Sequence, residues 1–255
     1  MITRRRFGAV VGGAMGSLAV SQACRAFVRP LDENAGRLTA RPGSTAGTSL
    51  APGGTRALGL GAARDAMLHV PAGAAGPFPL FVLLHGASST GARMLQRVQS
   101  AVEGAGLVVL APDSRASTWD AIRDDFGPDV DFLNLALQRV FDTMAIDTGR
   151  IAVGGFSDGA TYALSLGLIN GDLFRKVVAF SPGFIVEGAA HGKPRLFISH
   201  GTADTILPID SASHVLVPVL KRRGYDVTFR EFNGGHEVPP AIANEALTWA
   251  AQSSV

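Results

Sequence analysis

Four apolar runs constrain this chain most: LFVLLH at 80–85, LVVLAP at 107–112, VVAFSP at 177–182 and LFISHG at 196–201. None alternates polar with apolar, as a strand with one wet face would. A strand that is apolar on both faces must be covered on both, which is the situation of a parallel sheet packed between helices. Strands are expected at Ala66–Val70, Leu80–Leu84, Leu107–Ala111, Ile151–Gly155, Lys176–Ser181, Arg195–Ser199 and Val227–Phe232. Helical spacing fills the intervals at about 91–105, 131–146, 159–169, 211–224 and 240–252. Strands alternating with helices predict an α/β fold, a mostly parallel doubly wound sheet with helices on both faces.

A chain of 255 residues, 47% hydrophobic, can bury one large core of this kind. The net charge of +2 is small and no basic stripe with interleaved aromatics appears, so nothing points to a nucleic-acid partner. Residues 1–23 are set apart from the fold. A basic TRRRF at 3–7 leads into GAVVGGAMGSLAV at 8–20, too short to span a bilayer, and then Ser21-Gln22-Ala23. This is the pattern of an export signal. The arginine pair before Phe7 resembles the twin-arginine type, so the export machinery is an expected partner and the periplasm or exterior the expected location.

Cys24 is the single cysteine, which rules out an intrachain disulfide. Its place after the signal also suggests a lipid anchor, although Ser21 stands where that motif usually has leucine. Residues 24–54 are rich in Pro, Gly, Ser, Thr and Ala and read as a flexible arm, with a catalytic domain over 55–255.

In an open parallel sheet, ligands bind beyond the carboxyl ends of the strands. In VGGFSDGAT at 153–161, Ser157 lies between Gly155 and Gly159, after an expected strand and before an expected helix. That context suits a nucleophile elbow. A serine hydroxyl needs a base and a group to orient that base. Asp204 follows the strand RLFIS, and His236 follows VTFREF, both at the same sheet edge as Ser157. The order Ser, Asp, His is that of α/β-hydrolases. The oxyanion of an acyl-transfer intermediate needs N–H donors, expected from Asp158 and from Ala87 or Ser88 in LLHGASST. His69, His191 and His214 lack strand-end context and read as structural or exposed.

Together LLHGASS, GGFSDGA, FSPGF, ISHGTADTILP and GGHEVP resemble the phospholipase/carboxylesterase and dienelactone-hydrolase-like branch of the α/β-hydrolases, which includes small exported esterases and relatives of polyhydroxybutyrate depolymerases. The resemblance spans about residues 64–252. It implies a serine carboxylesterase working through an acyl-enzyme, without cofactor or metal. Related readings are a polyester depolymerase, a lysophospholipase or a thioesterase; a peptidase or a non-catalytic tethered module fits less well. Asp158 stands where such proteins often have glutamine, and serine stands where dienelactone hydrolases proper have cysteine. The segment PGFIVEGAAHGKP is too short for a cap domain, so an open cleft for small or polymeric esters is expected. Trp119, Phe184 and Ile206 are candidates to line it. The acidic loop 113–131 reads as solvated, or as a rim disfavouring anionic substrates.

Overall fold

The computed structural model describes residues 33–43, 52–61 and 63–253. The expected export signal, Cys24 and most of the expected arm lie outside the described residues. The first half of the body runs β1 (Gly54–Ala57), β2 (Ala66–Val70), β3 (Phe78–Leu84), α1 (Gly91–Ala105), β4 (Val108–Pro112), α2 (Asp120–Arg123) and α3 (Pro128–Thr143). The second half runs β5 (Ile146–Phe156), α4 (Asp158–Ile169), β6 (Lys176–Phe180), β7 (Arg195–Gly201), α5 (Ser213–Arg222), β8 (Val227–Phe232) and α6 (Pro240–Ala251).

The strands form one sheet in the order β1-β2-β4-β3-β5-β6-β7-β8. From β4 to β8 neighbours are parallel, while β1–β2 and β2–β4 pair antiparallel at one edge. The apolar runs are buried on both faces. Phe81, Leu83, Val109 and Phe197 join one core cluster with α1 and α6. Leu80, Val82, Leu84 and Leu110 join the other, with α3 and α4. This is why those sequences do not alternate.

Boundaries follow local chemistry. Thr90 caps α1 by accepting from the Arg93 N–H, and Gly106 ends it in the left-handed region at φ 64°. Helix α3 starts at Pro128, three residues before the expected position, because proline suits the first turn and Asp129 and Asp131 follow it there. Strand β1 was not expected: GTRA is exposed throughout and carries no apolar signal.

Residues 33–43 depart from the expected flexible arm. Leu38 and Ala40 are buried in the core, and the Asn170 carboxamide accepts from the Leu38 N–H at 2.8 Å. Sequence reading missed this because Leu38 is a lone apolar residue whose burial depends wholly on distant partners. Among the described residues, no helix is long and apolar enough to cross a membrane.

Candidate active site

Strand β5 ends directly into α4, and Ser157 is the hinge, at φ 58° and ψ −122°. That is a strained conformation for a residue with a side chain, and it lifts the hydroxyl above the sheet edge. The turn is held by the Ser157 N–H donating to the Phe180 carbonyl at 3.0 Å and the Ser157 carbonyl accepting from Ala160 and Thr161. Glycine is needed on both sides. A Cβ on Gly155 would lie 2.6 Å from the Leu84 carbonyl oxygen, and one on Gly159 would collide with the carbonyls of Leu84 and His85.

The loops after β7 and β8 bring Asp204 and His236 to this serine. Ser157 Oγ lies 2.8 Å from His236 Nε2, and His236 Nδ1 lies 2.6 Å from Asp204 Oδ2. The carboxylate can only accept, so Nδ1 carries the proton and Nε2 is left to receive the serine's. The other carboxylate oxygen accepts from the Ile206 and Leu207 N–H groups at 2.9 and 2.8 Å. Burial alone would raise the Asp204 pKa, but hydrogen bonds from His236, Leu207 and Ile206 outweigh it and hold the carboxyl below its ordinary value.

A residue the sequence reading passed over stands behind this pair. His200, fully buried in β7, has Nε2 2.7 Å from the Leu207 carbonyl and 3.3 Å from Asp204 Oδ2. Its Nδ1 is 2.7 Å from Ser213 Oγ. Burial lowers its pKa against the opposing pull of Leu207 and Asp204, which keeps the ring neutral. The signal available in the sequence was a histidine inside a strand otherwise reading as pure core.

The loop after β3 passes beside the serine: a Cβ placed on Gly86 would sit 3.3 Å from that of Ser157. His85 fixes the loop, with Nδ1 2.7 Å from the Gly86 carbonyl, Nε2 accepting from the Ser114 N–H at 3.0 Å, and its own carbonyl accepting from Trp119 Nε1 at 2.8 Å. Burial lowers the His85 pKa and keeps it neutral in this arrangement. The Ser88 N–H is already engaged, donating to the Ser117 carbonyl at 2.6 Å. Of the three expected donors, Ala87 and Asp158 are the two whose N–H groups have no such partner among the described residues.

Comparison with known proteins places this architecture. The sequence profile of the Phospholipase/Carboxylesterase family matches residues 131–251. A putative esterase, NocK, of Nocardia uniformis subsp. tsuyamanensis is 28% identical over 146 residues, covering 53% of this chain and 42% of that protein. Feruloyl esterase D of Neurospora crassa is 31% identical over 104 residues, covering 40% of this chain and 34% of that protein. The match thus spans less than half the length of these curated relatives. The crystal structure of esterase PE8 superposes with a TM-score of 0.61 at 22% identity, over 71% of this chain and 95% of that one. The last likeness is one of fold. The chain has the α/β-hydrolase fold.

Two expectations for this chain need correction. Trp119 does not line a cleft: it is 1% exposed, its ring stacked on Tyr162 at 5.1 Å and tilted against His85 at 5.0 Å. It is a core residue that braces the loop after β3. The acidic loop 113–131 is not simply solvated, because Asp120 and Asp129 are buried. Asp120 accepts from the Gly127 and Asp129 N–H groups and from the Tyr162 hydroxyl, and Asp129 accepts from the Arg115 and Asp120 N–H groups. Burial raises the Asp129 pKa against the lowering effect of those N–H groups.

Phe184 and Ile206 are 46% and 67% exposed. Phe184 lies in the segment after β6, where the Gly183 N–H donates to Thr161 in α4 at 2.9 Å, and Ile206 lies in the loop after β7, two residues past Asp204. The segment after β6 lies along α4, with the Val186 N–H donating to Ser165 Oγ at 2.9 Å, and builds no cap. His69 is buried against Thr55, His191 lies near the Ile169 carbonyl, and exposed His214 sits between Asp210 and Glu231.

Proposed function

We propose that this α/β-hydrolase is a serine carboxylesterase that cleaves carboxylic esters through an acyl-enzyme. The observation that carries the reading is the unbroken hydrogen-bonded chain Ser157–His236–Asp204 at the sheet edge. In this mechanism His236 takes the Ser157 proton as the oxygen attacks the ester carbonyl, and Asp204 steadies the imidazolium. The oxyanion is received by the backbone N–H groups of Ala87 and Asp158. His236 then protonates the leaving alcohol, and water enters by the reverse steps to release the acid.

The alcohol leaves on the His236 side, where Phe184 and Ile206 offer an apolar border. Because that border is exposed and uncapped, the reading extends to polyester chains as well as small esters. The name of the Neurospora relative, a feruloyl esterase, adds aromatic acyl esters to the panel worth assaying.

Hydrolysis of p-nitrophenyl butyrate by the purified protein tests the reading. Ser157→Ala should lower kcat by about 10⁴-fold or more. A fluorophosphonate probe should label the wild type and leave that variant unmarked. Equal rates for the two proteins, or no labelling of the wild type, would overturn the proposal.

A further inference from the structure

Asp158 contributes its backbone to the proposed oxyanion site, and its side chain is a separate matter. The residue opens α4 immediately after Ser157 and is half-buried. Its Oδ2 accepts from the Thr118 hydroxyl at 2.5 Å. Among the described residues it forms no ion pair, and Thr118 is its one hydrogen-bonding partner through the side chain. The neighbouring acids differ: Asp120 has both oxygens occupied by N–H and O–H donors, and Asp129 has both occupied by backbone N–H groups. Those carboxylates hold the loop together. Asp158 is tethered by one oxygen, with the other left for a donor from outside.

The sheet order gives this carboxylate a side. Thr118 lies in the segment after β4, and β4 and β8 stand on opposite sides of β5. Asp204 and His236 therefore approach Ser157 from one flank, and the Thr118–Asp158 pair borders the other. The Ser88 N–H, bonded to the Ser117 carbonyl, joins that second flank to the loop that passes Ser157. Since His236 must reach the leaving alcohol, the flank away from it faces the acyl group. A negative charge there opposes a developing oxyanion, so its presence calls for a compensating role.

We propose that Thr118 and Asp158 form a hydrogen-bond-accepting subsite for an acyl chain bearing a hydroxyl or ammonium donor, and that it excludes acyl chains ending in a carboxylate. The assignment rests on the ester-hydrolase reading and adds the class of acyl group. A hydrogen bond to a charged acceptor, made away from water, favours such a chain over a plain alkyl one.

The test compares kcat/KM for the p-nitrophenyl esters of butyrate, 3-hydroxybutyrate, 3-aminobutyrate and the hemisuccinate. The wild type should cleave the hydroxyl or ammonium ester about tenfold better than the butyrate, and the hemisuccinate about tenfold worse; whichever of the first two leads identifies the donor. Asp158→Asn should relieve the hemisuccinate penalty, and Asp158→Ala should also erase the donor advantage. Thr118→Val, which releases the tether without touching the serine turn, should reduce that advantage roughly threefold. A purely structural role would lower all four rates together and leave their ratios unchanged. Wild-type ratios within about twofold of one, or ratios unmoved in the variants, would overturn the subsite while the esterase stood. Failure to cleave any ester would overturn both.

Discussion

Gly159 shows how tightly single residues are specified around the serine. Its missing side chain lets the first turn of α4 press against the carbonyls of Leu84 and His85 at the end of β3. Neither backbone can yield, because β3 is bonded on both sides within the sheet. Gly159→Ala is therefore expected to cost about 3 kcal/mol, read from the urea midpoint, by overpacking a place with no slack. It should also lower ester hydrolysis at least about tenfold, since the displaced strand end carries Ala87 away from Ser157. Unchanged stability would show that the close approach relaxes without strain. Residues of this kind were legible beforehand because their constraint is local: a strand, a turn and a helix leave a five-residue imprint. Asp204 and His236 were legible for the same reason, each sitting in a polar loop after an apolar run. His200 and Trp119 were not. One is hidden inside a core strand, and the other sits in a loop whose burial is decided by Tyr162 and His85, far away in sequence.

At the scale of elements, α6 is docked through Lys176, a lysine in a strand that is otherwise apolar. Its ammonium is buried and donates to the carbonyls of Trp249 and Gln252 at 2.6 and 2.7 Å, serving the unpaired end of the helix. Burial, helped by Arg195, lowers its pKa from 10.5 to about 8. Between those two values the unfolded chain holds a proton that the folded protein has released, so stability rises with pH across that window. The neutral amine still has two N–H bonds, enough for both carbonyls. Melting temperatures of the wild type and Lys176→Met should be compared from about pH 7 to pH 10. The difference should shift toward the wild type on the order of 5 °C as pH rises. A difference independent of pH would mean that the lysine keeps its ordinary affinity for the proton. The periodicity of the sequence placed both elements but said nothing of this tie, because a lysine in an apolar run gives no hint of where its head finds acceptors.

At the scale of the molecule, the two ends of α4 do different work. Its N-terminus presents Ser157. Its C-terminus, about 18 Å away for a helix of this length, anchors the segment that precedes the sheet. Asn170 is fully buried and joins the two: its oxygen accepts from the Leu38 N–H and from Arg37, and its nitrogen donates to the Gly36 and Leu166 carbonyls at 2.8 and 3.0 Å. Arg37 and Arg41 then close on Asp172, whose carboxyl is held far below its ordinary range, first by the Arg37 hydrogen bond. The stability this clasp contributes is therefore full above the ordinary carboxylate pKa and is lost as the pH falls from there toward the lower value of the folded protein. Asn170→Ala would leave the Leu38 N–H and the Gly36 carbonyl without their partner in a dry site. The expected loss is about 2–4 kcal/mol in a urea titration. Trypsin should also cut faster after Arg37 under native conditions, because local release of the segment becomes accessible before global unfolding. Ester hydrolysis per folded molecule should stay at the wild-type level, since the serine turn is at the far end of the helix. Native proteolysis no faster than in the wild type would show that Leu38 and Ala40, by apolar burial alone, hold residues 33–43 in place.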